Sequence, residues 1–196
     1  MAHAAELGNE VPKNPLVFMK PSSAILVGNK PLYYPEFSED IHYELELVLR
    51  IGKNGRYVQS EHALSYIDQI GLGIDFTARD VQQRCKEKGH PWEIAKAWDG
   101  SAVMSPFLEA EPFLDDPIYF RLEKNGETVQ TGDSSLMIFS FTDIITYVSQ
   151  YFKLQVGDYI FTGTPAGVGP VDRGDVLTGY LKTSAGDRLM LECEIK

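Results

Sequence analysis

Two glutamates stand close together in a segment that alternates between apolar and polar side chains. In residues 40–52, DIHYELELVLRIG, the alternation is that of a strand, and it places Glu44 and Glu46 on one side. Side chains at this spacing on a strand are about 7 Å apart. Two such carboxylates suit a hard divalent cation, and the alternative is an outer sheet face exposed to water. Other residues of the chain have to decide between these interpretations.

Asp75 is the third candidate ligand. It ends the apolar run IGLGIDF directly before a predicted helix, where an acidic side chain often serves as an N-cap. Thr77 is the better cap, because Asp80 follows it at capping-box spacing. Asp75 is then free to join the two glutamates, and three carboxylates form an oxygen-only site that suits Mg²⁺ or Mn²⁺. Magnesium keeps positions open for water or substrate, so we expect a reaction centre rather than a structural ion.

Four further side chains suit an anionic substrate. Arg79 and Gln82 are three residues apart on the predicted helix and therefore share a face. Lys96 in PWEIAKAWDG and Lys20 in FMKPSS each follow apolar or aromatic residues. Taken singly, each lysine is interpreted as a surface residue, so a role in the site depends on the carboxylates.

The loop TGTPAGVGP, residues 162–170, contains three glycines and two prolines. It is neither a Walker A motif nor a dinucleotide fingerprint, because the required lysine and glycine spacings are missing. Its glycines allow backbone N–H groups to turn inward and hold a carboxylate, and the alternative is a plain connection between strands.

Strands predominate among the elements that must position these residues. The pairs Asn54-Gly55 and Asn125-Gly126 predict hairpin turns. Helices are expected at residues 60–69, at 77–89 and after Thr142 as N-cap, and strands resume in DYIFTG, DVLTGYL and RLMLECEI. Regular βαβ alternation is missing, so we expect a β-rich α+β fold. No linker divides the chain, which predicts one domain over residues 1–196.

Composition excludes several classes of protein. The chain has 196 residues, 43% of them hydrophobic, and a net charge of −10, which argues against binding to nucleic acid or anionic membranes. No apolar run is long enough to span a membrane, and the first residues lack the pattern of a secretory signal. Cys85 and Cys193 do not form a disulfide framework. We expect a soluble, reduced, cytoplasmic protein, in which an anionic substrate would require a local concentration of positive charge.

Five segments resemble the serial motifs of the fumarylacetoacetate hydrolase superfamily: FMKPSSAI, HYELELVLRIG, GIDFTARDVQ, PWEIAKAWD and FTGTPAGVGP. The resemblance runs from about residue 3 to the C-terminus and is nearest to the small single-domain members, the acylpyruvase and oxaloacetate decarboxylase branch. It implies a β-rich roll with a few short helices, like the C-terminal domain of fumarylacetoacetate hydrolase, and a homodimer.

The resemblance also implies a role for each candidate residue. The metal ligands are Glu44, Glu46 and Asp75, and the substrate contacts come from Lys20, Arg79, Gln82 and Thr164, with Lys96 as a catalytic residue at the same pocket. The N-terminal HAAE resembles a lid helix in which His3 and Glu6 activate water, within a lid segment 1–14. Members usually carry a short strand before this histidine, and we expect this chain to lack it.

The implied activity is cleavage of a C–C bond in a small anionic 2-oxo acid, through an enolate that Mg²⁺ or Mn²⁺ stabilises. Acylpyruvate hydrolysis and oxaloacetate decarboxylation both fit this description. Two alternatives remain open: an isomerase or tautomerase of 2-hydroxy-diene-dioates or oxaloacetate on the same metal site, and a catalytically idle, metal-stabilised dimer. Lys20, Arg79 and Lys96 would supply the local positive charge that an anionic substrate needs.

Overall fold

The structure is a computed structural model that describes residues 12–196. Strands outnumber helices in this part of the chain. The strands are β1 (Ile25–Val27), β2 (Ile41–Tyr43), β3 (Leu45–Ile51), β4 (Ile67–Asp75), β5 (Thr77–Ala78), β6 (Ala102–Met104), β7 (Leu108–Glu109), β8 (Tyr119–Lys124), β9 (Glu127–Asp133), β10 (Tyr159–Phe161), β11 (Gly169–Pro170), β12 (Val176–Thr183) and β13 (Gly186–Glu194). The α-helices are α1 (Arg79–Lys88), α2 (Glu93–Lys96) and α3 (Phe141–Tyr151), and short 3₁₀ segments span Ser22–Ala24, Ser60–Tyr66, Glu111–Phe113 and Ser134–Leu136. The predicted β-rich α+β class is confirmed. Among these residues no helix is long and apolar enough to cross a membrane.

The strands form three sheets. The largest has the order β1-β6-β4-β3-β10, with β7 also paired to β4, and its only parallel pair among the described strands is β1 with β6. A second sheet has the order β13-β12-β8-β9, and a small third sheet joins β11, β2 and β5. The small sheet and the large sheet meet at Glu44, which separates β2 from β3.

Strands β3 and β4 form the centre of the core. Leu45, Leu47 and Leu49 are at most 1% exposed, and Val48 on the opposite face is fully buried as well. The predicted strand therefore has two buried faces, where the alternation indicated one. In β4, Gly73 lies opposite Glu46, and a Cβ there would come within 2.5 Å of the Phe161 ring. Glycine at this position lets the sheet pack closely beside the two glutamates.

One of the two predicted hairpin turns is confirmed. Asn125 and Gly126 both have positive φ, 54° and 84°, and connect β8 directly to β9. The predicted hairpin turn at Asn54-Gly55 is wrong, because Gly55 forms a β-bridge with Leu154. Strand β3 does return as its antiparallel neighbour β4, but through the longer connection 52–66.

The predicted helices exist, but their boundaries differ. Helix α1 begins at Arg79, not at Thr77, because Thr77 pairs with His42 in the small sheet. Helix α3 is capped by Ser140 in a capping box with Asp143, so Thr142 lies inside the helix. The segment predicted at 60–69 is a 3₁₀ helix that ends at Tyr66, where β4 takes over.

Candidate metal-binding and catalytic site

Strand register brings the three predicted carboxylates together. Leu45 pairs with Ile74, which places Glu44 opposite Asp75 and both on the face that carries Glu46. The backbone N–H of Asp75 donates to the carbonyl of Glu44 at 2.8 Å. One carboxylate oxygen from each residue lies within 4.8 Å of the others. All three residues are at most 6% exposed, so the outer-face alternative is excluded.

Lys96 is buried among these carboxylates. It ends the short helix α2 and is 3% exposed. Its Nζ donates to Glu44 Oε2 at 2.8 Å, to Asp75 Oδ2 at 2.7 Å and to Thr77 Oγ1 at 2.6 Å. A lysine ammonium has three protons, so every donor of this buried cation has an acceptor. The surface alternative for Lys96 is wrong.

Lys20 approaches the cluster from the N-terminal side. Its Nζ lies 2.8 Å from Asp75 Oδ1 and donates to Ser101 Oγ at 2.8 Å and to the carbonyl of Lys96. Its side chain is 11% exposed. The surface alternative is therefore wrong for this lysine too.

Arg79 and Gln82 act as a pair on the first turn of α1. Arg79 Nη2 donates to Glu44 Oε1 at 2.6 Å, and Nη1 donates to Gln82 Oε1 at 2.8 Å. The shared helix face predicted from their spacing is present. Gln82 holds the guanidinium, and the guanidinium holds one of the candidate ligands.

The glycine-containing loop reaches the cluster through its backbone. The N–H of Gly163, which has φ 97°, donates to Glu46 Oε2 at 2.6 Å. Thr164 Oγ1 donates to the carbonyl of Leu45 at 2.8 Å. The loop thus turns an N–H toward a carboxylate, and that carboxylate belongs to the protein. Thr164 lies beside the strand that carries the glutamates.

The two glutamates have opposite electrostatic surroundings. Burial raises the pKa of Glu44, but the charges of Lys96 and Arg79 outweigh that effect and hold the pKa at about 2. Burial also raises the pKa of Glu46, and the negative charges of Asp75 and Glu44 raise it further, to about 8. Within residues 12–196, no lysine or arginine forms an ion pair with Glu46. This carboxylate therefore holds a proton at neutral pH unless another cation replaces it.

The donor set fits a hard divalent cation. Carboxylate oxygens are what Mg²⁺ and Mn²⁺ prefer, and three of them converge here. Asp75 Oδ1 is buried and accepts no hydrogen bond of acceptable geometry from the described residues, although Lys20 Nζ is near it. Among the described residues, Glu46 has no cationic partner, and Asp75 Oδ1 is close only to the charge of Lys20. Glu44, Glu46 and Asp75 could together hold the ion.

The sequence as a whole matches the family model for the fumarylacetoacetate (FAA) hydrolase C-terminal domain over residues 1–196. The chain belongs to the fumarylacetoacetate hydrolase family. “Oxaloacetate tautomerase FAHD1, mitochondrial” from Bos taurus is 42% identical over 175 residues, which make up 88% of this chain and 79% of that protein. Oxaloacetate tautomerase YcgM from Escherichia coli (strain K12) is 41% identical over 178 residues, 90% of this chain and 81% of that protein.

A solved structure of the same family has a closely similar fold. Fumarylpyruvate hydrolase from Pseudomonas aeruginosa, crystallised in complex with Mn²⁺ and pyruvate, matches with a TM-score of 0.90 and 35% identity. The match covers 100% of this chain and 85% of that chain. The predicted family and its β-rich fold are confirmed.

The predicted lid pair lies outside the described residues. His3 and Glu6 belong to residues 1–11, so their role in activating water stays a prediction. The other candidate residues, from Lys20 to Thr164, all lie at or beside the carboxylate cluster of this fumarylacetoacetate hydrolase family member.

Gln130 is a site residue that the sequence analysis missed. It is 1% exposed, and its Oε1 accepts from the backbone N–H of Leu45 at 2.9 Å. Its Nε2 donates to Thr164 Oγ1 at 2.9 Å and to the carbonyl of Pro165 at 3.0 Å. One side chain from β9 therefore ties the glutamate strand to the glycine loop. The available signal was a glutamine at an inward-facing strand position, which is uncommon without a partner.

Replacing Gln130 with leucine should lower kcat/KM about tenfold, the lower end of what outer hydrogen-bond partners of metal sites contribute. It removes the partner of the buried Leu45 N–H and one donor to the half-buried Pro165 carbonyl, so the melting temperature should fall as well. Gln83→Leu is the matched control, because Gln83 is exposed on α1 and its one side-chain partner within residues 12–196 is Glu87. A lower melting temperature with unchanged kcat/KM and metal affinity would limit Gln130 to a structural role.

Proposed function

We propose that this chain is a divalent-metal-dependent enzyme that forms and protonates the enolate of a small anionic 2-oxo acid, with tautomerisation of oxaloacetate as the first activity. The observation that carries the proposal is the buried triad of Glu44, Glu46 and Asp75, surrounded by cationic side chains. The sequence motifs alone implied C–C bond cleavage as the first candidate activity. The names of two relatives at 41–42% identity favour tautomerisation, which uses the same enolate.

Charge balance explains how an acidic protein attracts an anionic substrate. The three carboxylates are matched by the three cationic groups of Lys20, Arg79 and Lys96. With a divalent ion bound, the ionised site carries two net positive charges, which a dianionic 2-oxo acid neutralises. The bound ion would supply Lewis-acid polarisation of the keto oxygen.

The two lysines are suited to different tasks. Burial lowers the pKa of Lys96, but attraction to Asp75 and Glu44 outweighs it and raises the pKa overall. Lys96 therefore stays charged and is suited to stabilise negative charge on the enolate oxygen. Burial lowers the pKa of Lys20 against the attraction of Asp75, so Lys20 releases a proton more readily. As an ammonium, Lys20 is suited to donate a proton to C3 of the enol and to take back the proton of the enol oxygen, which leaves atoms and charge balanced.

Arg79 is the group suited to the substrate's carboxylate. Its Nε is buried and has no hydrogen-bond acceptor among residues 12–196. The other side of the guanidinium is fixed by Glu44 and Gln82, so this donor has a defined direction. A donor of this kind gains an acceptor when a carboxylate binds, which contributes to affinity rather than to turnover.

C–C bond cleavage is the second candidate. It is supported by the likeness to a fumarylpyruvate hydrolase whose structure holds Mn²⁺ and pyruvate. Hydrolysis needs a base that activates water, and the resemblance assigns that role to His3 and Glu6, outside the described residues. Enolisation requires only the groups that residues 12–196 bring together.

Metal-dependent turnover of oxaloacetate tests the proposal. EDTA should abolish keto–enol interconversion, which is measured by ultraviolet absorbance. We expect added Mg²⁺ or Mn²⁺ to restore it. Release of pyruvate and CO₂ from oxaloacetate, or of pyruvate and a carboxylic acid from an acylpyruvate, would favour cleavage. Absence of all three reactions from the metal-loaded chain would favour the catalytically idle, metal-stabilised dimer.

Three expectations accompany the proposal. We propose a single catalytic domain over residues 1–196, a homodimer and a cytoplasmic location. Sedimentation analysis of the purified chain would check the dimer, and it bears on none of the catalytic assignments.

A further inference from the structure

Lys86 extends the cationic face of helix α1 beyond the carboxylate cluster. Arg79, Gln82 and Lys86 are spaced by three and then four residues, so all three lie on one side of the helix. The first two contact the site, and Lys86 is about 6 Å further along the helix axis than Gln82. Lys86 therefore lies further from the cluster on the same side of the helix.

Two aromatic rings connect Lys86 to the cluster. Lys96 Nζ, which contacts Glu44 and Asp75, lies 5.2 Å from the centroid of the Phe18 ring. The Phe18 and Trp92 rings are 6.4 Å apart, with an interplanar angle of 55°. Lys86 Nζ in turn lies 5.4 Å from the centroid of the Trp92 ring. The result is an apolar wall with a cation at each end.

The ammonium groups at the two ends of this wall differ in their hydrogen-bond and ion-pair partners. Lys96 is saturated by three oxygen acceptors. Lys86 is exposed and forms no ion pair with any carboxylate in the part of the chain that the structure describes. Partial burial lowers the pKa of Lys86, the charges of Arg79 and Lys96 lower it further, and Glu44 raises it. Lys86 is thus close enough to interact with the cluster and still has its donors available.

We propose that Phe18, Lys86 and Trp92 form a subsite, called the Lys86 subsite, for the distal carboxylate of a dicarboxylic 2-oxo acid. The inference rests on the proposed function for the other end of the substrate, where the 2-oxo carboxylate lies at the carboxylate cluster. The carbon skeleton lies against the Phe18 and Trp92 rings, and the distal carboxylate reaches the ammonium of Lys86. The enzyme therefore prefers dicarboxylic over monocarboxylic 2-oxo acids.

The test compares two classes of substrate in a pair of matched variants. Lys86→Met removes the distal charge, and Lys88→Met removes an exposed lysine of the same helix that lies off this face. For oxaloacetate, Lys86→Met should lower kcat/KM about fivefold, chiefly through KM, the effect of one partly screened ion pair. Acetylpyruvate, which has no second carboxylate, should change less than twofold. The difference should shrink in high salt, because the pair is exposed.

Direct binding separates failure of the subsite from failure of the proposed function. The Mg²⁺-loaded protein is titrated with oxaloacetate by calorimetry, and Lys86→Met should bind it about fivefold more weakly than Lys88→Met. Equal binding by the two variants, or equal losses of kcat/KM on both substrate classes, overturns the subsite. Binding that depends on Lys86 without any turnover supports the subsite and overturns the proposed activity.

Discussion

Replacing Lys96 with methionine should lower kcat on a 2-oxo acid about 10²–10³-fold at saturating Mg²⁺, because a fixed positive charge beside a developing oxyanion contributes that much. The affinity for Mg²⁺ should not fall, since all three carboxylates remain and a neighbouring positive charge is removed. Steady-state kinetics with the metal held in excess, together with calorimetric titration of Mg²⁺, measure the two effects separately.

Stability is the other quantity that this substitution changes. Without the Lys96 ammonium, the buried carboxylates of Glu44 and Asp75 have fewer cationic partners, so the metal-free variant should melt at a lower temperature. Saturating Mg²⁺ should restore much of the lost melting temperature. Lys88→Met controls for the substitution itself, because Lys88 is exposed. A normal kcat at saturating Mg²⁺ would reduce Lys96 to a structural ion-pair partner.

The carboxylate triad could be predicted because its two determinants are local in sequence. A period of two places Glu44 and Glu46 on one face, and Asp75 stands at the end of a recognisable apolar strand. The contacts around the triad could not be predicted in the same way. The position of Thr77 under Lys96 depends on the small sheet, which pairs Thr77 with His42 far away in sequence. Gln130 was missed for the same reason, since its three partners come from β3 and the loop after β10.

Errors in the fold have a similar physical origin. Asn125-Gly126 is a turn because its conformation closes a hairpin between adjacent strands, a local requirement. The same dipeptide at Asn54-Gly55 is used differently, because the Gly55 bridge to Leu154 is a tertiary contact. Thr77 has good cap chemistry, but its hydroxyl already accepts from Lys96. At these positions, tertiary contacts therefore outweighed local sequence propensity.

Replacing Glu46 with glutamine should weaken Mg²⁺ binding by at least about 100-fold, more than the loss of an outer partner, because one of three charged ligands is removed. Wild-type affinity should also rise about tenfold per pH unit from pH 6 to 7 and level off above 8. The pKa of Glu46 is raised to about 8, so metal binding there displaces a proton. Without Glu46, this part of the pH dependence should disappear. Calorimetric titration of both proteins between pH 6 and 9 measures both effects.

The Glu46→Gln variant also separates an effect on metal binding from an effect on folding. In the metal-free wild type, the folded state keeps the Glu46 proton between the ordinary glutamate pKa and about 8, whereas the unfolded state loses it. The free energy of unfolding therefore falls with rising pH across this window, and Glu46→Gln, which mimics the protonated group, escapes that fall. Metal-free Glu46→Gln should consequently melt no lower than wild type at pH 7, and higher at pH 8. At the same Mg²⁺ concentration, the melting temperature of the wild type should rise more than that of Glu46→Gln. An equal Mg²⁺-induced rise in both proteins would remove Glu46 from the metal site.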